Sequence, residues 1–158
     1  MPAKAKIGVI ITNNQNQALL IKEKLEDKPV PMWNIIKGTY GDHDGETIFE
    51  AAVRECQEEA GVKAKLTHLL GCYVSQKPDK IRIQFNFLAE IIDGDLALAD
   101  KSEQKSRDED ISELKWFSKD ELEKMTPDDF ISKRAYTAIR DWLAGKSYPL
   151  ETVKHTEL

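Results

Sequence analysis

Hydrophobic and polar residues alternate most regularly between Ile81 and Ile91, where every second position is apolar. This period of two predicts a β-strand with one buried face. Other apolar runs predict further strands, at 6–12, 17–22, 32–36, 62–74 and 111–117. The first two runs flank a polar turn over 13–16, so we expect them to form a hairpin.

A helical pattern separates the third and fourth of these runs. Thr47 with Glu50 three residues later forms a capping box, and Gly61 is a typical residue just past a helix end. We therefore expect a helix over 48–60, with a buried stripe made of Phe49, Ala52, Val53, Cys56 and Ala60. Apolar positions between 131 and 142 repeat at helical spacing and predict a C-terminal helix.

The remaining segments are expected to be irregular. Residues 100–110 are strongly charged and predict a loop. Residues 1–146 are interpreted as one domain, since the chain has 158 residues and no internal repeat. Residues 147–158 are expected to form a flexible C-terminal tail.

Three glutamates share one side of the first helix, next to its apolar stripe. Glu55 precedes Glu58 and Glu59 by three and four residues, a spacing that brings the side chains together. Their charges repel, and carboxylates in a last turn face the negative end of the helix dipole. Clustered carboxylate oxygens suit Mg²⁺ or Mn²⁺, so the pattern indicates a divalent metal site. A solvated acidic face is the alternative interpretation.

The order of residues from Glu46 to Val62 is more specific than an acidic cluster. Its defining positions are Glu46, Arg54, Glu55, Glu58, Glu59, Gly61 and Val62. This order resembles the Nudix box, G-x5-E-x7-R-E-U-x-E-E-x-G-U, with Cys56 at a position that is usually aliphatic. The pattern has five residues between its glycine and its first glutamate, whereas Gly38 leaves seven before Glu46 and Gly41 leaves four. The loop from Gly38 is therefore interpreted as lengthened by about two residues. The resemblance implies an α/β/α sandwich with a mixed β-sheet between helices, which agrees with the predicted order of elements.

The resemblance also implies a chemistry and assigns roles to residues. Nudix enzymes use a divalent metal to hydrolyse a nucleoside diphosphate linked to another group. The expected metal ligands are Gly38, Glu55, Glu58 and Glu59. Glu55 and Glu58 are also expected to act in catalysis, Arg54 to orient the carboxylates, and Glu46 to tie the loop to the helix.

Other candidates lie outside the motif. The family's general base is either a motif glutamate or an acid from a later loop, and here Glu109, followed by Asp110, is the candidate. A charged loop in solvent is the alternative for both. Lys37, next to Gly38, is expected to contact phosphate, and an ordinary surface lysine is the alternative. Trp33 is a candidate for stacking on a nucleobase. Core packing is the alternative for Trp33.

Composition limits the kinds of partner that we expect this protein to bind. With 23 Lys and Arg against 28 Asp and Glu, the net charge of −5 argues against stable binding to nucleic acid. The apolar run near the N-terminus is too short to span a membrane. Cys56 and Cys72 are the only cysteines, and a buried thiol in a reducing cytoplasm is the expected state of Cys56. We expect a cytoplasmic monomer or homodimer that binds a small nucleotide.

Two hypotheses from different classes follow from these observations. The first is a metal-dependent pyrophosphohydrolase, whose substrate is a nucleoside triphosphate, a dinucleoside polyphosphate or a nucleotide sugar. The second is a catalytically inactive Nudix-fold module that senses a nucleotide. Turnover of a nucleotide in the presence of Mg²⁺ or Mn²⁺ distinguishes them.

Overall fold

The computed structural model describes residues 5–158, which form eight strands, four α-helices and two 3₁₀ turns within that range. The strands are β1 (Ala5–Ile11), β2 (Gln17–Glu23), β3 (Met32–Asn34), β4 (Ile36–Tyr40), β5 (Lys63–Lys77), β6 (Lys80–Asp93), β7 (Ile111–Ser118) and β8 (Tyr148–Pro149). The helices are α1 (Ile48–Ala60), α2 (Lys101–Ser106), α3 (Lys119–Glu123) and α4 (Lys133–Leu143). The 3₁₀ turns are Pro127–Asp129 and Leu150–Thr152.

The strands form two sheets. The larger has the order β4-β1-β6-β5-β8, and the smaller has the order β3-β2-β7. β1 runs parallel to β6 and antiparallel to β4, so the larger sheet is mixed. The alternation between Ile81 and Ile91 belongs to β6, a central strand, which confirms the predicted strand.

The hydrophobic core has two parts, which lie on opposite faces of β1 and β2. On β1, Ile7 and Ile11 pack with α1, whereas Ile10 packs with α4. Alternate side chains of a strand point to opposite faces, so a strand that is apolar throughout is covered on both sides. Helices on either side of the strands confirm the predicted α/β sandwich.

The same burial explains why the predicted hairpin is wrong. Within the described residues, β1 and β2 are joined by a single bridge between Thr12 and Ala18, and they then enter different sheets. Each strand is hydrogen-bonded on both edges, β1 by β4 and β6 and β2 by β3 and β7. The polar turn reverses the chain, but it does not determine which edges pair.

The prediction of α1 is confirmed in its bounds and its caps. The Thr47 hydroxyl accepts a hydrogen bond from the Glu50 N–H, and the Glu50 carboxylate accepts one from the Thr47 N–H. Gly61 follows with φ of 72°, in the left-handed region that glycine adopts without strain. These caps set the two ends of the helix that carries the glutamates.

Two segments are more ordered than predicted. The expected loop at 100–110 contains α2, whose N-cap Asp100 accepts a hydrogen bond from the Glu103 N–H. The expected tail from 147 is wrong for its first residues, because β8 pairs with β5 and both Leu150 and Val153 pack against the core. Charge and position in the chain suggested irregular structure. A local N-cap begins α2, and tertiary contacts order the start of the C-terminal segment.

No helix among residues 5–158 is long and apolar enough to cross a membrane.

Candidate metal and phosphate site

Two of the three α1 glutamates are buried. Glu55 is 6% exposed and Glu59 is 1% exposed, so both carboxylates lie inside the protein. The Glu58 side chain is 25% exposed and lies at the rim. The spacing predicted that the three share one side of the helix, but it did not predict that two of them would be buried. Their burial requires compensating groups, because an unpaired buried charge is costly.

Gly38 makes room for the Glu55 side chain. It lies in β4 opposite Ile7 of β1, and a Cβ built on Gly38 would stand 2.1 Å from the Glu55 carboxyl carbon. No side chain fits at that distance, so Glu55 can lie against the strand only where the residue is glycine. β4 extends to Tyr40, and the predicted loop therefore begins at Gly41 rather than at Gly38.

Lys37 compensates the charge of Glu59 in two ways. The Lys37 backbone N–H donates to Glu59 Oε1 at 2.9 Å, and the Lys37 ammonium donates to Glu59 Oε2 at 3.1 Å. The same ammonium donates to the buried Glu23 carboxylate at 2.9 Å. Lys37 is thus a partner of two carboxylates as well as a candidate phosphate contact. Glu23 was not predicted as a site residue, because it lies at the end of a strand whose prediction rested only on apolar residues.

Arg54 organises the carboxylates on the other side of the site. Its Nε and Nη2 donate to the two oxygens of Glu46 at 2.9 and 3.2 Å. Its Nη1 donates to Glu55 at 2.9 Å and to Glu58 at 3.4 Å. The Glu46 contact is bidentate, which restricts orientation as well as balancing charge. Arg54 therefore contacts three carboxylates and joins the loop residue Glu46 to α1.

Glu109 completes the carboxylate cluster, by which we mean Glu55, Glu59 and Glu109. One oxygen of each lies within 4.8 Å of one oxygen of the other two. Arg107 holds Glu109 in place, since its Nε donates to Glu109 at 3.0 Å while its Nη2 donates to the Glu58 carbonyl at 3.1 Å. The segment between α2 and β7 is therefore attached to α1, and Arg107 is a positioning residue that the sequence analysis missed.

The structure does not bring Asp110 or Trp33 to this cluster. The Asp110 side chain is 59% exposed, and its carboxylate lies 3.6 Å from the Lys101 ammonium. Glu109 faces the cluster, whereas the next side chain along the chain faces α2. Trp33 packs edge-on against Phe117, with ring centroids 4.8 Å apart, beside the second part of the core. For Trp33 the contact in the structure is core packing, the alternative interpretation.

The burial of these carboxyl groups changes their protonation. Burial raises the pKa of Glu55 to about 7, and repulsion from Glu58 adds to the effect while Arg54 opposes it. Burial also raises the pKa of Glu59 well above its ordinary value, although Lys37 opposes the rise. Repulsion from the nearby Glu109 carboxylate adds to the rise in the pKa of Glu59. Glu55 and Glu59 therefore bind protons more readily than ordinary carboxyl groups do.

These residues fit a divalent metal ion. The donor atoms are carboxylate oxygens, which Mg²⁺ and Mn²⁺ prefer. Two of the three carboxylates are buried and close together, so their negative charges repel one another. Without a cation this repulsion is reduced by protonation, and a bound cation would reduce it instead. Residues of this cluster and the rim also line an open cleft, the carboxylate cleft, which contains Lys6, Lys37, Gly38, Thr39, Asp42, His43, Arg54, Glu55, Glu58, Arg107, Asp108 and Glu109.

The raised pKa of Glu55 predicts how stability depends on pH without metal. A carboxyl group whose folded pKa exceeds its ordinary 4.5 stabilises the fold most when it is protonated. This contribution is complete below pH 4.5 and is lost as the pH rises through about 7. In EDTA, we expect the melting temperature of the wild type to fall relative to that of Glu55→Gln as the pH rises across this window.

Addition of Mg²⁺ should reverse this trend, because metal binding requires the ionised carboxylates and stabilises only the native state. Melting temperatures should therefore be measured with and without Mg²⁺ at pH values below and above the Glu55 pKa. Mg²⁺ should raise the melting temperature more at the higher pH. A pH-independent difference between wild type and Glu55→Gln in EDTA would contradict the assignment.

Gly38 gives a second prediction. Gly38→Ala places a methyl group where the Glu55 carboxyl now lies, so the carboxylate must leave its position. Misplacement of a catalytic group by about 1 Å can lower activity by about 10²-fold, and we expect a loss of at least that size in kcat. The matched control is Gly71→Ala in β5, where the nearest atom to the new methyl group is 3.2 Å away on Tyr73. Steady-state hydrolysis assays check both variants, and full activity of Gly38→Ala would be contrary to this geometry.

The amino-acid sequence is similar to a known domain family and to several proteins of known name. A family model described as the NUDIX domain matches residues 2–139. A relative from Bacillus subtilis (strain 168), named as a diphosphatase, is 37% identical over 110 residues, which are 70% of this chain and 63% of the relative. An ADP-ribose pyrophosphatase from Methanocaldococcus jannaschii is 35% identical over 105 residues, which are 65% of this chain and 59% of that protein.

The matched region thus spans less than two thirds of the length of these two relatives. Among solved structures, a NUDIX hydrolase from Nitrosomonas europaea superposes with a TM-score of 0.75 at 24% sequence identity. The superposition covers 99% of this chain and 98% of the other. At this identity the likeness shows a shared fold.

Proposed function

Because this chain belongs to the Nudix family, whose domain model matches residues 2–139, we propose that it hydrolyses a pyrophosphate bond. The substrate class is a nucleoside diphosphate linked to a second group. The observation that carries the proposal is the carboxylate cluster, in which buried Glu55 and Glu59 meet Glu109 beside Lys37. The two relatives described above carry the names of a diphosphatase and a pyrophosphatase, which supports this reaction type.

The residues of the cluster supply the ligands of a divalent cation, Mg²⁺ or Mn²⁺. Glu55 and Glu59 are the ligands whose positions are restricted by Arg54 and Lys37, and Glu58 at the rim is a further ligand, directly or through water. The backbone carbonyl of Gly38 is proposed as an additional ligand. When bound, such an ion neutralises phosphate charge, lowers the pKa of water and aligns the attacking and leaving oxygens.

The protein's own residues then position the reaction. Glu109, held by Arg107, is proposed to accept a proton from the attacking water. The water oxygen forms a bond to one phosphorus while the bond from that phosphorus to the bridging oxygen breaks, and the bridging oxygen leaves with the other phosphate. The Lys37 ammonium, which lies between the Glu23 and Glu59 carboxylates, is proposed to contact the phosphate oxygens.

A substrate panel tests the proposal directly. Nucleoside triphosphates, dinucleoside polyphosphates and nucleotide sugars are incubated with Mg²⁺ or Mn²⁺, and the products are identified by chromatography. Reaction in isotopically labelled water shows which phosphorus receives the new oxygen. We expect hydrolysis that requires the metal ion. Tight nucleotide binding with no hydrolysis under either metal would instead favour a sensor module.

A further inference from the structure

A second cleft adjoins the carboxylate cleft and differs from it in charge. This cationic cleft has a volume of about 270 Å³ and is lined by basic side chains from β1, β6 and α4: Lys6, Arg82 and Arg134. Lys6, Lys37 and Gly38 line both clefts, so the two are continuous. A ligand held at the carboxylate cluster can therefore extend into the cationic cleft.

Among residues 5–158, the two arginines of the cationic cleft have no acidic partner. Arg82 and Arg134 are half-buried, yet neither guanidinium forms a hydrogen bond or an ion pair within that range. Lys6 donates to the Thr39 hydroxyl at 2.8 Å. The acid that lines this cleft, Glu23, is already paired with Lys37. Half-buried guanidinium groups without partners are unexpected in a chain of net charge −5, and they suit an anionic ligand.

The cations also repel one another. Burial lowers the pKa of Arg134, and the charge of Arg82 lowers it further. Burial and Arg82 likewise lower the pKa of Lys6, although Asp42 opposes the change. Arg82 therefore lies within electrostatic range of both other cations, and each of the three gains from an anion placed among them.

The start of α4 adds a further positive contribution. Ser132 is its N-cap, and Ser132, Arg134 and Ala135 all line the cationic cleft. The helix has 11 residues, and its N-terminus carries the positive end of the dipole. The charged side chains and the helix end thus act in the same direction.

We infer that the cationic cleft binds an anionic group of the substrate beyond the pyrophosphate that the carboxylate cluster cleaves. This inference rests on the proposed function. The protein should therefore prefer nucleotides with three or more linked phosphates to nucleoside diphosphates attached to an uncharged sugar. A sugar leaves the half-buried guanidinium groups without partners, whereas a further phosphate neutralises them.

Binding without turnover provides the first arm of the test. In EDTA, the affinities for inorganic tripolyphosphate and pyrophosphate are measured by titration calorimetry. We expect wild type to bind tripolyphosphate at least about tenfold more tightly. Arg82→Gln and Arg134→Gln should each weaken tripolyphosphate binding by about tenfold, which is the loss expected for a charge-assisted hydrogen bond. Arg82→Lys and Arg134→Lys should recover part of the affinity, because they keep the charge.

Kinetics in Mg²⁺ provide the second arm. A nucleoside triphosphate and a nucleoside diphosphate sugar with the same base are compared. The two Gln variants should raise KM for the triphosphate about tenfold with kcat within about twofold, and should raise KM for the sugar substrate far less. Arg140→Gln is the matched control, since Arg140 lies on the same helix but contacts Glu123 outside the cleft. Melting temperatures establish that each variant is folded.

The outcomes are distinct. Unchanged tripolyphosphate affinity in folded Arg82→Gln and Arg134→Gln overturns the inference, and so does an equal loss on both substrate classes. Tripolyphosphate binding that depends on these arginines, together with no hydrolysis of any nucleotide, contradicts the proposed function and leaves the assignment of the cleft intact.

Discussion

Glu59→Gln is expected to lower kcat by on the order of 10³-fold, because it removes a buried anionic ligand while keeping the side chain's shape. The Glu59 carboxylate is 1% exposed and is held by the N–H and the ammonium of Lys37. A divalent ion contributes several kcal/mol of transition-state stabilisation. About 1.4 kcal/mol corresponds to a factor of ten in rate, so loss of several kcal/mol with this metal ligand corresponds to a decrease in rate of about 10³-fold.

The Glu59 variant also has an equilibrium readout. Mg²⁺ should raise the melting temperature of wild type and should raise that of Glu59→Gln much less, because stabilisation by a ligand follows its affinity for the native state. Glu90→Gln is the matched control, since Glu90 is an exposed carboxylate on β6. Its kcat should remain close to that of wild type. Wild-type turnover by folded Glu59→Gln would remove Glu59 from the metal site.

Glu109→Gln is expected to lower kcat by roughly 10³-fold, within the range of about 10²–10⁴ found for general acid–base groups. The Glu109 carboxylate lies in the cluster, and Arg107 holds it at 3.0 Å. A glutamine keeps this hydrogen bond through its carbonyl oxygen but cannot accept a proton at neutral pH. The loss should therefore appear in kcat rather than in KM.

Asp110→Asn is the matched control for Glu109→Gln. Asp110 is the next residue along the chain, but its side chain is 59% exposed and faces Lys101. Its substitution should leave kcat nearly unchanged in the same assay. Equal losses in the two variants would indicate a general effect of charge in this segment. A large loss in Asp110→Asn alone would assign the proton acceptor to Asp110.

The contrast between Glu109 and Asp110 shows where the sequence was insufficient. Both acids lie in the same charged segment, and neither has a spacing signal that ranks it. Their positions follow from tertiary contacts of neighbouring residues. Buried Gln104 of α2 accepts a hydrogen bond from the Ile111 N–H at 2.7 Å, and Arg107 bonds the Glu58 carbonyl. These contacts hold the segment against α1 with Glu109 facing inward.

The cationic cleft could not be predicted from the sequence either. Lys6, Arg82 and Arg134 are far apart along the chain, with β2 to β5 between the first two and β7 between the last two. Each is the kind of basic residue that a strand or helix commonly presents to solvent. The parallel pairing of β1 with β6, with Lys6 opposite Gln84, brings two of them together. The packing of α4 on the sheets adds the third.

The sequence by itself determined the local features of this protein. Helix α1, its caps, the spacing of its glutamates and the alternation of β6 all depend on residues close together in the chain, and all were predicted in type and place. Only the tertiary structure decided the pairing of β1 and β2, the burial of Glu55 and Glu59, the inward position of Glu109 and the meeting of the three cations of the cationic cleft. The physical reason is that strand edges, desolvation and charge compensation depend on partners distant in sequence, which local patterns do not specify.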